Sequence, residues 1–185
     1  MSNTPSTYTD FELYMQLSAA HSRESAFKEL YRRYEQRVWA YCWVSLHNED
    51  KSKDIIQEAF FRFYKAGEKG VAVDNVPAYL MRIVRNLVID EHRKSDRQFV
   101  DIDDIDIPAP ADGYEQREMN AIIETALQLL PAEYKDALIM QTYSDMSYNE
   151  IAEVQNVPLT TVRNRIVRAK ARMREILSVY INNGE

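Results

Sequence analysis

The sequence predicts an all-α protein made of two small helical domains joined by an acidic linker. Three observations carry that expectation. Apolar residues recur at spacings of three and four through most of the chain, the period of helices that bury one face. Only 4 Gly and 6 Pro occur in 185 residues, so long helices with few breaks are favoured. Charge also divides the chain. Residues 101–150 carry 2 Lys/Arg against 12 Asp/Glu, whereas 51–100 carry 10 against 7 and 151–185 carry 6 against 3. The net charge of −6 therefore conceals two moderately basic stretches around an acidic one, the pattern of two binding lobes with something anionic between them.

The first helix begins after Ser22, placed as an N-cap, and runs along Phe27, Leu30, Tyr31, Tyr34, Val38, Tyr41 and Cys42, with Trp39 and Trp43 beside that stripe. A second, entered from the polar stretch His47 to Ser52, carries Ile55, Ile56, Ala59, Phe60, Phe63 and Tyr64; Gly67 and Gly70 are expected to end it. A third starts near Asn75 to Pro77, with Leu80, Ile83, Val84 and Leu87 inward, and runs into Arg93 and Lys94. From Ser95 to Gly113 the helical period is lost. Val100 to Ile107 partly alternates, as a strand would, but has no partner and is followed by Pro108, Pro110 and Gly113, so a linker is expected.

Helical spacing returns after Asp112 and Glu115, which resemble a capping box, through Met119, Ile122, Ile123, Ala126, Leu127 and Leu130. Pro131 opens a helix through Tyr134 and Leu138. Ser147 and Glu150 form a second capping box before a short helix that Asn156-Val157-Pro158 breaks, with Asn156 suited to left-handed geometry. A long helix follows from Leu159. The expected domains are thus 1–94 and 112–185, with 95–111 as linker.

The last two helices form a helix-turn-helix. In the long one Val162, Ile166, Ala169, Met173 and Ile176 make the buried stripe, leaving Arg163, Asn164, Val167, Arg168 and Lys170 on the other side. Arginine can pair two donors with guanine, asparagine can pair with adenine, and valine can meet a thymine methyl. Thr160 and Thr161 stand at the helix N-terminus, where phosphate binds. A solvated bundle helix is the plainer explanation of such charges. It usually mixes signs to gain i,i+4 pairs, however, and the six basic residues from Arg163 to Arg174 have no acid among them.

Leu130-Pro131-Ala132-Glu133-Tyr134, Met146 to Ala152, and Thr161 to Lys170 resemble region 4 of sigma-70-type transcription factors. Thr160 stands where glycine is frequent, and Gln155-Asn156 where Leu-Gly is frequent. The resemblance implies that this helix-turn-helix reads the −35 promoter element through Thr160, Thr161, Arg163, Asn164, Val167, Arg168 and Lys170. Asp54 to Phe60 resembles the D-x-x-Q-E-x-F signature of region 2.2, which implies that Asp54, Gln57 and Glu58 bind the β′ clamp helices of RNA polymerase; taken alone, those three would be a charged solvent face. Pro77 to Lys94 resembles regions 2.3 and 2.4. That implies a role at the −10 element for Arg82, Arg85, Asn86, Arg93 and Lys94, although Asp90 and Arg93 are also spaced to pair with each other. Lys65 to Val76 stands where the family holds a flipped base but matches poorly in identity.

The extracytoplasmic-function subfamily fits a chain of this length with two motif sets. It implies core polymerase (β′ and β subunits) and promoter DNA as partners, an anti-sigma factor as inhibitor, and no cofactor or small-molecule substrate. The acidic residues Asp101, Asp103, Asp104 and Asp106 would then occupy a basic polymerase channel. Two alternatives remain: a sigma mimic that sequesters an anti-sigma factor, and a polymerase-independent helix-turn-helix regulator. The mimic is expected to lack the basic recognition face, and the regulator leaves Asp54, Gln57 and Glu58 without purpose.

Other chemistry finds little footing. His21, His47 and His92 do not combine with Cys42 at metal-ligand spacing. No Gly-rich phosphate loop or nucleophile motif occurs, so no enzyme is expected. A single cysteine on an apolar stripe reads as a packed thiol. With no signal sequence and no apolar run of about 20 residues, a soluble cytoplasmic protein is expected.

Overall fold

The computed structural model describes residues 7–97 and 114–182, with side chains over 7–94 and 119–178. Within these residues lie eight α-helices and no strand: α1 (Asp10–Gln16), α2 (Arg23–Leu46), α3 (Glu49–Glu68), α4 (Val76–Arg97), α5 (Tyr114–Gln128), α6 (Ala132–Thr142), α7 (Tyr148–Gln155) and α8 (Leu159–Asn182). None of them is long and apolar enough to cross a membrane.

In the first half α2, α3 and α4 pack side by side. Helix α2 buries Ala26, Leu30, Tyr34, Val38, Tyr41 and Cys42; α3 buries Ile55, Ile56, Ala59, Phe60 and Phe63. Fully burying one such large apolar side chain contributes about 1.5–3 kcal/mol, so these stripes hold the half together. The α4 stripe is rotated from the expected one. Leu80, Met81, Val84 and Val88 are buried, whereas Ile83 and Leu87 are only half-buried. Left-handed His47 (φ 50°) ends α2, and the Asn48 side chain then accepts from the Lys51 amide at 2.9 Å to start α3.

Three local features add to or differ from the expectations. Helix α1, absent from the sequence reading, is fixed by a capping box: the Glu12 amide donates to Thr9 Oγ1 at 3.2 Å and the Thr9 amide to Glu12 Oε2 at 2.7 Å. Ser22 stands at the start of α2 but makes no capping bond; its hydroxyl donates to the Gln16 carbonyl at 3.3 Å instead. Helix α3 ends at Glu68, between Gly67 and Gly70 as expected, and Gly67, its penultimate residue, is also where fully buried Leu17 after α1 presses against the backbone; a Cβ there would lie 2.4 Å from Leu17 Cδ1. Gly70, left-handed at φ 68°, stands just past the helix end.

In the second half α6 is the central helix. Ala137, Leu138, Ile139 and Met140 are all buried, a consecutive run without helical period, because α2, α7 and α8 all pack on α6. The two halves also meet: α2 packs on α6 and α4 on α7, and one apolar cluster runs from Leu13 through Val88 to Ile166. Helix α4 continues to Arg97, so the first residues assigned to the linker are helical. The remainder of that linker, with Val100 to Ile107, Pro108 and Pro110, lies outside the described residues, as do Asp112, Gly113 and the Glu115 side chain.

Candidate nucleic-acid and polymerase interfaces

The helix-turn-helix is built by local chemistry. The Ser147 amide donates to Glu150 Oε2 at 2.7 Å while the Glu150 amide donates to Ser147 Oγ at 3.2 Å, closing the expected capping box on α7. Asn156 closes α7 in the left-handed region (φ 53°, ψ 51°), and the Val157 amide reaches back to the Ala152 carbonyl at 3.1 Å. Pro158 then opens α8. Ile151, Val154, Val162, Ile166 and Ala169 are buried between α6, α7 and α8, which sets the two helices of the motif against each other.

The opposite side of α8 is open. Thr160, Arg163, Asn164, Val167, Arg168 and Lys170 are exposed, Val167 to 64%, and Thr161 is half-buried. Arg165 faces the other way. It donates to Gln155 Oε1 at 2.7 Å and to Glu133 Oε2 at 3.1 Å, tying α8 to α7 and α6. Arg168 also touches the Tyr134 hydroxyl at 3.3 Å.

On α3, Asp54 and Gln57 are exposed together, while half-buried Glu58 accepts from Arg62 Nε at 2.6 Å. Gln57 borders an open groove of about 540 Å³ on α2 and α3, lined also by Tyr31, Trp39, Lys53, Phe60 and Phe61. Phe61 is 55% exposed. Spacing along the chain alone does not reveal this aromatic groove. Its signal was the surplus of rings flanking the Ile55–Phe60 stripe, too many for one buried face.

The residues assigned to the −10 element divide. Asn86, Arg93 and Lys94 are exposed; Arg93 stands 3.6 Å from Asp90, as its spacing allowed, and Lys94 stands 3.8 Å from Glu91. Arg82 is exposed, as expected, and also reaches the second half, whereas Arg85, expected to face outward, is half-buried against it. Arg82 Nη2 donates to the Glu153 carbonyl at 2.8 Å, and Arg85 Nε donates to Asp136 Oδ2 at 2.6 Å. The Tyr41 hydroxyl donates to Asp136 Oδ1 at 2.6 Å, and Gln155 Nε2 donates to Asp136 Oδ2 at 2.9 Å. Burial, with the Asp136 carboxylate alongside, pushes the Tyr41 hydroxyl far above the usual phenol range. It therefore stays a proton donor.

The structure thus holds two helical modules, one with a polar face beside an aromatic groove and one with a helix-turn-helix. Residues 30–98 match the family model of sigma-70 region 2 and residues 120–173 that of sigma-70 region 4. The chain belongs to the sigma-70 family, in its extracytoplasmic-function group. Among its relatives is the extracytoplasmic-function RNA polymerase sigma factor SigW of Bacillus subtilis, 27% identical over 83% of this chain and 90% of that protein. Two solved structures share the fold. CnrH in complex with the cytosolic domain of CnrY aligns at a TM-score of 0.71 and 21% identity, covering 92% of this chain and 97% of the other. The sigma factor RpoE in complex with the anti-sigma factor NepR, from Bartonella quintana, aligns at 0.67 and 24%, covering 83% and 97%.

Proposed function

We propose that the chain binds core RNA polymerase through Asp54, Gln57 and Glu58, reads −35 duplex with α8, and helps open the −10 element with α4. In this reading residues 1–94 are the polymerase-binding and melting domain, 95–111 the connector and 112–185 the duplex-reading domain. The observation that carries it is the exposed face of Arg163, Asn164, Val167, Arg168 and Lys170, held opposite a buried stripe behind a properly capped turn. The cations of that face would anchor phosphates while Asn164, Val167 and an arginine meet base edges. Exposed Asn86, Arg93 and Lys94 supply donors and cations for a melted strand. Its work is initiation rather than catalysis, with no cofactor, in the cytoplasm beside the polymerase. A solved relative is held by an anti-sigma factor; an inhibitor of that class is the expected partner here.

The test is specific initiation. Purified chain added to core polymerase should start transcripts from a promoter carrying suitable −35 and −10 elements. Arg168→Ala should lower initiation at such a promoter by about tenfold or more, since one good base contact is worth about 1–3 kcal/mol. Asp54→Ala with Gln57→Ala should weaken core binding and leave the isolated chain's fold intact. Initiation that is unchanged by Arg168→Ala would overturn the assignment of α8.

A further inference from the structure

A polar recess of about 260 Å³ opens where α6 meets one flank of α8, lined by Glu133, Tyr134, Thr161, Asn164, Arg165 and Arg168. Thr161, Asn164 and Arg168 follow one another at helical spacing along that flank, and Tyr134 meets them from α6. Arg168 Nη1 stands 3.3 Å from the Tyr134 hydroxyl. The hydroxyl accepts that bond, so its own proton is left to donate. Among the described residues, neither the Thr161 hydroxyl nor the Asn164 side-chain amide has a hydrogen-bond partner.

Donors therefore outnumber acceptors in the recess. Glu133 is its single acid, and Arg165 already holds Glu133 Oε2 at 3.1 Å while donating to Gln155. Arg168, by contrast, has no carboxylate partner among the described residues. Two guanidinium groups against one carboxylate leave the lining with a net positive charge. A plainer account makes Arg168 a solvated cation resting on a ring, a contact that contributes little. That account leaves unexplained why two hydroxyls and an amide line the same recess with no acceptor among them.

Position selects the anion. An α-helix with its side chains is about 10–12 Å across, and the major groove is about 12 Å wide. A helix that lays Arg163, Asn164 and Val167 against base edges thus fills the groove from wall to wall, and its flanks meet the backbone. We propose that the recess between α6 and α8 is a phosphate seat: Arg168 supplies the charge, and the Tyr134 and Thr161 hydroxyls supply hydrogen bonds, to a backbone phosphodiester of the bound duplex. Inorganic phosphate offers the same kind of oxygens, and the experiment separates the two sources. Tyr134 holds one edge of the Arg168 guanidinium and leaves its other N–H groups free to reach a base. The seat fixes the register of α8 in the groove and carries no sequence information of its own. The inference rests on the duplex-reading role proposed for α8 and adds a contact from α6 to it.

Holoenzyme formed from the full chain and core polymerase is titrated with promoter duplexes that differ one base pair at a time across the −35 element. Tyr134→Phe keeps the ring against the cluster of Leu127, Leu130 and Leu138 and removes only the hydroxyl; Thr161→Val does the same on α8. Each should raise Kd by about tenfold, the low end for a hydrogen bond to a charged group, and by the same factor on every duplex. Arg168→Gln should make the slope of log Kd against log salt shallower by about one. A loss confined to one base pair, or unchanged affinity in both hydroxyl variants, would overturn the backbone seat. In a second arm the free chain is titrated with inorganic phosphate while the Thr161 amide and Arg168 Nε–H resonances are followed. Saturable shifts that Tyr134→Phe abolishes, beside an unchanged duplex Kd, would assign the seat to the free anion; no response in either arm would leave no seat at all. If wild-type holoenzyme binds no promoter, the reading of α8 fails, and the phosphate arm alone decides the recess.

Discussion

Replacing Gly67 by alanine sets two well-measured effects against each other inside one helix. Alanine is the better helix former by about 1 kcal/mol, so on propensity alone Gly67→Ala should stabilise α3. The structure predicts the reverse. The added Cβ would lie 2.4 Å from Leu17 Cδ1, 2.7 Å from Leu17 Cβ and 3.1 Å from Leu17 Cγ, where comfortable carbon contacts are about 3.5–4.0 Å. A rotamer change can move Cδ1 but not Cβ, which rides on the backbone just after α1. Helix α1 must therefore shift outward by about 1 Å. Overpacking of that kind costs about 1–3 kcal/mol, and the clash with a backbone-anchored atom puts it at the upper end. The net expectation is a loss of about 1–2 kcal/mol, or roughly 3–6 °C in Tm for a chain of this size. Thermal denaturation followed by circular dichroism gives the total, and amide hydrogen exchange should locate the loosening at Leu13 to Leu17 first. A variant as stable as the parent, with unchanged exchange in α1, would show that α1 yields freely and that the close approach does not explain the glycine.

Ser147→Ala removes the side-chain cap of α7 and should cost about 1 kcal/mol in urea denaturation without changing the fold. Glu29 is hydrogen-bonded by Arg32 and Arg33, and its pKa falls from the usual 4.5 to about 2. A carboxylate held low stabilises the folded chain above its ordinary pKa and loses that contribution as pH falls toward the folded value. The stability gap between wild type and Glu29→Gln should therefore be full at pH 7 and close between about pH 4.5 and pH 2; a gap that is constant over that window would refute the pairing. Cys42 is fully buried and its thiol is pushed up to about 12 by desolvation, so thiol reagents should label it only as fast as the chain opens, with modification tracking denaturant concentration rather than reagent concentration.

Much of this architecture was legible because it is local. The stripes of α2 and α3, the Ser147–Glu150 box, left-handed Asn156 and the exposed side of α8 all follow from spacing within a few turns. Helix α1 left a readable signal in Thr9-x-x-Glu12, but its seven residues span only about two turns, too short for a period to show. Gly67 reads as part of the helix end, and spacing cannot show that Leu17, fifty residues earlier, occupies the space its side chain would need. Arg82 and Arg85 read as outward-facing cations for the same reason. Spacing along α4 says which residues leave the core of the first half, and cannot say that Asp136 and Glu153 of the second half wait there.

The chain contains 2 tryptophans, and both stand on α2, with the Trp39 and Trp43 rings nearly parallel (9°) and 6.2 Å apart. All indole emission thus originates from a single spot in the first half. A fluorescence melt consequently watches the end of α2 next to Tyr41 and is blind to the far side of α8, whereas circular dichroism averages over all the helices. If the halves come apart before either unfolds, the two optical signals should separate along the temperature axis. Coincident curves would mean that the molecule melts as one cooperative body. The placement of two side chains thereby gives the unlabelled protein its own gauge of how tightly its parts are joined.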